Sequence, residues 1–352
     1  MGDSALRAGL LEALRESTVR MHVFLDGQTS DYVAGLPLNT SARFYSSRRL
    51  WLAEAMKVER PVYLVNAGEI NPRRDLPFPH PARAAELHRV LERDGMIIAA
   101  GLGLKDPSIA NDITFDHALR NAAVMSWRDR GSQEAAGFGG SAPDWAFSLG
   151  PDPRDWLGTT DRDAIAVTLR FDRPWPDSTW LRGVRAFADS ARARVVTLAQ
   201  VARDAPRAVA LAEALGGEYS VPPSMQHDAL DRHVRSIYRQ SVAVVSDRAH
   251  ALIMGATEGA YPIGSASDPQ KIIRILNIAG VGALTGDHAS FQDRAEMLHS
   301  VLPTLKEAMD SARAEVHALG SAVRRAISLG EDPVFAAAEA DTEGGLATVS
   351  GG

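Results

Sequence analysis

The stretch SVAVVSDRAHALIMGATEGAYPIGSASDPQKIIRI, residues 241–275, decides the fold class. It begins with a valine-rich apolar run at residues 242–246, and a helical pattern follows at once over residues 251–257. A second apolar run occupies residues 261–264, and another helical pattern opens at Lys271. Strands that alternate with helices pair in parallel, because the chain must cross over between parallel neighbours. The stretch therefore predicts an α/β fold with a parallel sheet.

The same alternation extends outward through both halves of the chain. Five short apolar runs in each half are predicted strands: residues 22–25, 61–67, 96–100, 123–127 and 145–149, then 165–171, 195–200, 218–221, 242–246 and 261–264. Between the two groups, GPDPRDWLGTTDRD at residues 150–163 has the composition of a linker. We therefore predict two doubly wound, Rossmann-like domains that face a cleft, with ligands beyond the carboxyl ends of the strands. The predicted segments are an N-terminal domain at 1–152, a C-terminal domain at 153–290, C-terminal helices at 291–330 and a loosely ordered tail at 331–352.

The composition excludes several classes of protein. The 352 residues include no cysteine, which excludes disulfides, thiolate zinc sites, iron–sulfur clusters and a cysteine nucleophile. A net charge of −6 argues against a nucleic-acid partner, because phosphate neutralisation needs a basic face. No apolar run approaches the length of a membrane span, and the mixed charges of the first 20 residues are unlike a secretory signal. We therefore expect a cytoplasmic location.

A candidate anion site lies where the strand at 242–246 meets the helix after it. Arg248 and His250 occupy this corner, where the helix dipole and free N–H groups favour a negative ligand. An arginine grips a carboxylate or phosphate through two parallel hydrogen bonds, and a histidine exchanges a proton near neutral pH. A purely structural interpretation also stays open: Asp247 caps the helix, Arg248 is a surface charge and His250 is a satisfied, half-buried ring.

Linked motifs over residues 120–280 resemble the polysaccharide pyruvyltransferases. In that family an Arg-x-His triplet follows a short strand, and a small-residue helix, a strand and a lysine come after it. The matching positions here are Arg248, Ala249, His250, Gly259, Pro262 and Lys271. Upstream positions that match the family are Arg128, Asp129, Ser132, Asp144, Arg170, Gln200 and Asp204. The resemblance implies a glycosyltransferase-B-like architecture, with the acceptor on the N-terminal domain and the donor on the C-terminal domain.

The resemblance implies an enzyme that transfers a pyruvyl group from phosphoenolpyruvate to two hydroxyls of one sugar, forming a cyclic ketal. The expected donor-binding residues are Arg170, Arg248, Ala249 and Lys271. His250 is the expected general acid that protonates the enol carbon, and Asp204 is the expected base that activates a sugar hydroxyl. Two structural interpretations remain: Arg170 closes a strand at the surface, and Asp204 is a helix N-cap ahead of Pro206.

The expected partners are phosphoenolpyruvate and the sugar acceptor of a glycan or lipid-linked precursor, with peripheral membrane association through that acceptor. No cofactor is expected beyond phosphoenolpyruvate as the donor substrate. No metal site is expected either, because the histidines lack ligand spacing and the DRD at residues 161–163 lies in the linker.

Two other functions stay open. A nucleotide-sugar glycosyltransferase of the same architecture would use Glu258, within ATEGAYPIGS, to hold the nucleotide ribose. A non-catalytic sugar-binding relative is the third hypothesis, because the loop at residues 24–40 departs from the family's glycine-rich, Asn-containing pattern. Trp175 and Trp180, just after Arg170, fit either stacking on a sugar or packing in the core.

Overall fold

The computed structural model describes residues 2–15, 19–38, 40–330 and 346–350. These residues form two compact units. Within the described residues, the N-terminal unit takes residues 6–144 and those from 315 onward. The C-terminal unit takes the residues up to 5 and residues 145–314. The division after Asp144 lies upstream of the predicted linker at 150–163.

The N-terminal unit is built on one parallel sheet. Its strands are β1 (Arg20–Phe24), β2 (Arg43–Tyr45), β3 (Val62–Val65), β4 (Gly68–Ile70), β5 (Met96–Leu104), β6 (Val124–Trp127), β7 (Gly140–Ser141) and β13 (Leu346–Ser350). They pair in the order β2-β1-β13-β3-β5-β6-β7, with β4 against β5. The helices of this part of the chain are α1 (Gly2–Ala13), α2 (Ser30–Ala34), α3 (Arg48–Ala55), α4 (Pro81–Leu91), α5 (His117–Arg120) and α6 (Arg130–Ala136).

The C-terminal unit is built on a second parallel sheet. Its strands are β8 (Ala164–Thr168), β9 (Arg194–Thr197), β10 (Glu218–Tyr219), β11 (Ser241–Ser246) and β12 (Tyr261–Gly264), in the order β10-β9-β8-β11-β12. The helices are α7 (Ser178–Ser190), α8 (Ala205–Leu215), α9 (His227–Gln240), α10 (Ala249–Thr257), α11 (Gln270–Asn277), α12 (Phe291–Glu296), α13 (Leu298–Val301) and the first part of α14 (Leu305–Gly330), whose residues from 315 onward belong to the N-terminal unit. The prediction of an α/β fold with two parallel sheets is confirmed.

The central strands of the C-terminal sheet are completely buried. Every residue of β8 and β11 is buried, as expected of a parallel strand covered on both faces. α10 lies close against β11, because a Cβ atom on Gly255 would stand 2.5 Å from Val244 Cγ2. The glycine therefore permits this close approach, which sets the position of the helix start.

Some elements differ from the sequence predictions. The strand predicted at 145–149 is instead a 3₁₀ helix, Trp145–Ser148, because a short apolar run alone does not distinguish a buried strand from a helical turn. The strands β2, β4 and β7 were not predicted, since each has three residues or fewer and shows no period. The tail predicted as loosely ordered lies outside the described residues at 331–345 and 351–352, whereas Leu346–Ser350 forms β13 between β1 and β3.

None of the described helices is long and apolar enough to cross a membrane.

Candidate active site

The C-terminal sheet has a topological switch point between β8 and β11. The chain runs outward from β8 through β9 to β10, and then returns to the other side of β8 at β11 and β12. In open α/β sheets, ligands bind beyond the carboxyl ends of the strands that flank such a point. Thr168 ends β8 and pairs in register with Ser246, which ends β11. The segments after these two residues are therefore the expected ligand site of this unit.

α10 begins directly at the switch point. Asp247 and Arg248 connect β11 to the helix, and Arg248 is its N-cap residue. The Arg248 backbone N–H donates to Ser246 Oγ at 3.0 Å, whereas the Arg248 side chain makes no capping hydrogen bond. Ala249 and His250 are the first two helical residues, and both are half-buried. A helix start of this kind presents N–H groups and the positive end of the dipole, so this corner suits a negatively charged ligand.

The Arg248 side chain is held by Asp204, from the segment after β9. Arg248 Nη2 lies 2.8 Å from Oδ1 and 2.7 Å from Oδ2 of Asp204, which is fully buried. Asp204 Oδ1 also accepts the backbone N–H of Phe171 at 3.1 Å. The contacts join the loops that follow β8, β9 and β11, and we name the three residues the Asp204 clamp.

The clamp changes the role expected for Asp204. A carboxylate that is shielded from solvent and held by a guanidinium and an N–H group is poorly placed to take a proton from a sugar hydroxyl. We therefore infer a structural role for Asp204 rather than that of a base. Asp204 is the N-cap residue of α8, as the structural interpretation expected, although its side chain makes no capping hydrogen bond.

Arg170 is likewise paired with a carboxylate. Its Nε and Nη2 lie 2.9 and 2.7 Å from the two carboxylate oxygens of Asp172. Arg207 also contacts this loop, because its Nη1 donates to the carbonyl oxygen of Arg170 at 2.7 Å. Two of the three cations expected to bind the donor, Arg170 and Arg248, thus already have a carboxylate partner.

Asp247 is a titratable group for which the sequence suggested only helix capping. It does not cap α10, since its Oδ1 accepts the backbone N–H of Arg170 at 2.9 Å. Burial raises the pKa of Asp247, although the hydrogen bond from Arg170 and the charges of Arg248 and Arg170 act to lower it. A carboxyl group with a raised pKa at the switch point is a candidate for proton transfer. An acidic residue directly after a buried strand is the sequence signal that identifies it.

His250 and Lys271 lie in the first turns of consecutive helices. Lys271 is the second residue of α11, which follows β12, and it is half-buried. β12 pairs in parallel with β11, so α10 and α11 both start from the carboxyl edge of the sheet. The structure thus places Ala249, His250 and Lys271 along one edge, together with Arg170 and Arg248.

A hydrogen-bonded chain of two buried residues and one half-buried histidine follows β12. Trp180 Nε1 donates to Ser265 Oγ at 2.9 Å, and Ser265 Oγ lies 2.9 Å from His288 Nδ1. Burial lowers the pKa of His288, so its ring is neutral at neutral pH. Sequence reasoning missed Ser265 and His288, because no spacing links positions so far apart in the chain.

The loop after β8 carries an exposed aromatic surface. The side chains of Phe171 and Trp175 are 42% and 48% exposed. The guanidinium carbon of Arg203 lies 5.0 Å from the centroid of the Phe171 ring, and that of Arg207 lies 5.5 Å from the centroid of the Trp175 ring. Rings held by arginines in this way suit stacking on a sugar or a nucleobase. Trp180 is buried, so packing is its role.

Glu258 lies at the opposite end of α10 from the candidate site. It is the C-cap residue and is fully buried. Its Oε1 accepts from Arg235 Nη1 at 3.0 Å, and its Oε2 accepts from Arg239 Nη2 at 2.9 Å. Because α10 starts at the carboxyl edge and leads back to the start of β12, Glu258 stands at the amino edge of the sheet. The ribose contact expected of Glu258 is therefore not supported for a ligand at the carboxyl edge.

The family-like positions of the N-terminal unit serve its structure. Arg128 Nη1 lies 3.3 Å from Asp144 Oδ2, and both residues are buried. Asp129 caps α6, with Oδ1 accepting the Ser132 N–H at 2.8 Å and Oδ2 accepting its hydroxyl at 2.7 Å. Both residues of the Arg-Asp motif therefore have side-chain partners within the N-terminal unit.

Comparison with known proteins gives remote structural likeness alone. No protein-family model matches the chain, and no curated protein matches it. A mutant O-GlcNAc transferase from Thermobaculum terrenum is 15% identical, with a TM-score of 0.43, over 91% of this chain and 68% of that one. HepE from Anabaena, solved in complex with UDP, is 10% identical, with a TM-score of 0.48, over 89% of this chain and all of that one.

Proposed function

We propose that the protein is a sugar-modifying transferase that binds a phosphate-bearing donor at the switch point of its C-terminal sheet. The observation that carries the proposal is the start of α10, where Arg248, Ala249 and His250 directly follow β11 beside the end of β8. A helix start at a switch point combines the usual ligand position of an α/β sheet with the usual anion site of a helix.

Buried polar atoms at the same corner support a polar ligand. Thr168 Oγ1 and Arg248 Nε are both buried and have no hydrogen-bond partner among the described residues. Buried polar groups in proteins are nearly always hydrogen-bonded, so a polar ligand or a water molecule at this strand edge would complete the hydrogen bonding of both atoms. Phosphate and hydroxyl oxygens would satisfy both atoms.

The charges favour a nucleotide sugar as the donor. Phosphoenolpyruvate concentrates its negative charge on a small molecule and needs several cations free to converge on it. Arg170 and Arg248 are each partly neutralised by a carboxylate, whereas a diphosphate spreads its charge along a longer ligand. The exposed rings of Phe171 and Trp175 add a surface on which a base or a sugar ring stacks.

In the proposed reaction, the sugar carbon of the donor loses its bond to a phosphate oxygen and gains a bond to an oxygen of the acceptor. The bond from the sugar carbon to the diphosphate breaks, and the helix dipole and Arg248 stabilise the charge that develops on the departing phosphate. The acceptor hydroxyl gives its proton to a base, for which His250 is the first candidate and Asp247 the second. The acceptor belongs to a glycan or a lipid-linked precursor.

Pyruvyl transfer from phosphoenolpyruvate is the second candidate function. It is favoured by the order and spacing of Arg248, Ala249, His250 and Lys271, which resemble the pyruvyltransferase motif. In that reaction His250 would protonate the enol carbon, two sugar hydroxyls would add to the neighbouring carbon, and the bond from that carbon to the phosphate oxygen would break. One hydroxyl proton would return to His250, and the other would leave with the phosphate. The same anion corner would hold the donor in both cases.

A thermal-shift panel separates the two functions. We expect UDP, GDP and their sugars to raise the Tm of the full chain by several degrees at saturation. A ligand at 100 times its Kd adds about 2.7 kcal/mol of stability, and each kcal/mol raises the Tm by roughly 2–4 °C in a protein unit of this size. Sodium chloride and inorganic phosphate at equal ionic strength are the controls.

If phosphoenolpyruvate raises the Tm and the nucleotides do not, pyruvyl transfer replaces glycosyl transfer as the proposed function. A chain that responds to none of these donors would overturn the proposed function.

A further inference from the structure

Three potential metal ligands converge in the N-terminal unit, far along the chain from the candidate active site. His88 lies in the last turn of α4, Asp116 is the N-cap residue of α5, and His117 is the first residue of α5. One ligand atom from each of the three lies within 4.8 Å of the others. We propose that this group, the His88 cluster, binds a divalent transition-metal ion of the zinc class.

The distances are close to those of a coordination sphere. His88 Nε2 stands 3.0 Å from Asp116 Oδ1, and His117 Nδ1 stands 3.8 Å from the same oxygen. The two imidazole rings have centroids 4.5 Å apart. Zinc ligands at 2.0–2.1 Å in a tetrahedron are separated by about 3.3 Å, so both of these nitrogen–oxygen distances lie within about 0.5 Å of that separation.

The backbone holds the central ligand in place. Asp116 Oδ1 accepts the Ala118 N–H at 2.8 Å, and the Asp116 N–H donates to the Phe78 carbonyl oxygen at 2.8 Å. Phe115, the preceding residue, is buried and packs edge-on against Trp127. A ligand that is fixed by capping and by the core beside it loses little entropy when an ion binds.

The ligand set selects the class of ion. Two imidazole nitrogens and one carboxylate oxygen are typical of zinc and its neighbours among the transition metals, whereas magnesium and calcium prefer oxygen ligands throughout. Three protein ligands leave a fourth tetrahedral position for water. A bound ion would join the end of α4 to the start of α5 and would stabilise the N-terminal unit.

Titration of tag-free full-length protein with zinc chloride, followed by calorimetry, tests the His88 cluster. We expect one ion per chain, and we expect binding at least tenfold weaker in His88→Gln and in His117→Asn. Asp116→Asn should weaken binding as well, although its side-chain oxygen can still cap α5. His299→Asn is the matched control, because His299 is exposed on α13 in the other unit.

A second measurement does not depend on the heat of binding. Cobalt bound in a tetrahedral site absorbs visible light, and this absorption should appear with the wild type and His299→Asn but not with His117→Asn. His117 is 67% exposed, so its replacement should leave the fold intact. Zinc affinity that is unchanged in both His88→Gln and His117→Asn would overturn the proposal, as would a wild type that binds zinc no better than magnesium.

Discussion

Replacing Asp204 by alanine should lower the free energy of unfolding of the C-terminal unit by about 3 kcal/mol. The Asp204 carboxylate is fully buried and holds both Arg248 Nη2 and the Phe171 N–H. Its removal leaves a partly buried guanidinium without its counter-charge, which is costlier than the loss of an exposed ion pair. Urea denaturation followed by tryptophan fluorescence measures the change.

The control for Asp204 is Asp172→Ala, which removes the exposed carboxylate that pairs with Arg170. That variant should be close to the wild type in stability, because solvent screens the pair. The double variant Asp204→Leu with Arg248→Met should recover most of the loss, since it removes both charges together. An Asp204→Ala protein as stable as Asp172→Ala would show that the Asp204 clamp does not support the fold.

Replacing Glu258 by alanine should also cost about 3 kcal/mol of unfolding free energy. Glu258 is fully buried and pairs with Arg235 and Arg239. Burial acts to lower the pKa of Arg235, but the carboxylates of Asp231 and Glu258 outweigh it and raise the pKa. The alanine variant removes one of the two carboxylates that pair with this buried arginine, and chemical denaturation measures the loss.

Glu258 also separates a structural role from a ribose contact. The matched control is Glu218→Ala, which removes an exposed carboxylate from the pair with Arg194 and should change stability little. The milder variant Glu258→Gln should keep the wild-type affinity for UDP, because its side chain lies at the amino edge of the sheet. A tenfold loss of UDP affinity in Glu258→Gln would instead support a contact between Glu258 and the ribose.

The alternation of apolar runs with helical patterns predicted the α/β class and the parallel sheets. A parallel strand is buried on both faces, so its sequence is apolar throughout and is easily recognised. It did not predict β2, β4 or β7, which pair with neighbouring strands but are too short to show an apolar pattern of their own. It also mistook the buried Trp145–Ser148 turn for a strand, since its apolar residues fit either structure.

The candidate site was predictable where it depends on local sequence and not where it depends on tertiary pairing. The corner at Arg248 and His250 follows from a strand that leads directly into a helix. The pairing of Arg248 with Asp204 joins residues 44 positions apart, so no local pattern reveals that the expected base is committed to an arginine. The same limit applies to His88 and Asp116, which come together only when α4 meets α5.

The most direct test of the donor site is the affinity of the α10 start for an anionic donor. Isothermal titration with UDP and with phosphoenolpyruvate would compare the wild type with Ala249→Asp and Gln226→Asp. Ala249 is the first residue of α10, and Gln226 is the exposed N-cap residue of α9, which follows the edge strand β10. Both variants therefore add one negative charge to a helix start in the same unit. An acidic residue is favourable at either position, and both variants should fold.

At Ala249, however, the new charge would face the bound phosphate. Two unit charges about 4 Å apart repel by about 4 kcal/mol at an effective dielectric constant of 20. We therefore expect the donor that binds the wild type to bind Ala249→Asp at least tenfold more weakly, and Gln226→Asp with unchanged affinity. Equal affinity in Ala249→Asp and the wild type would contradict a donor site at the start of α10.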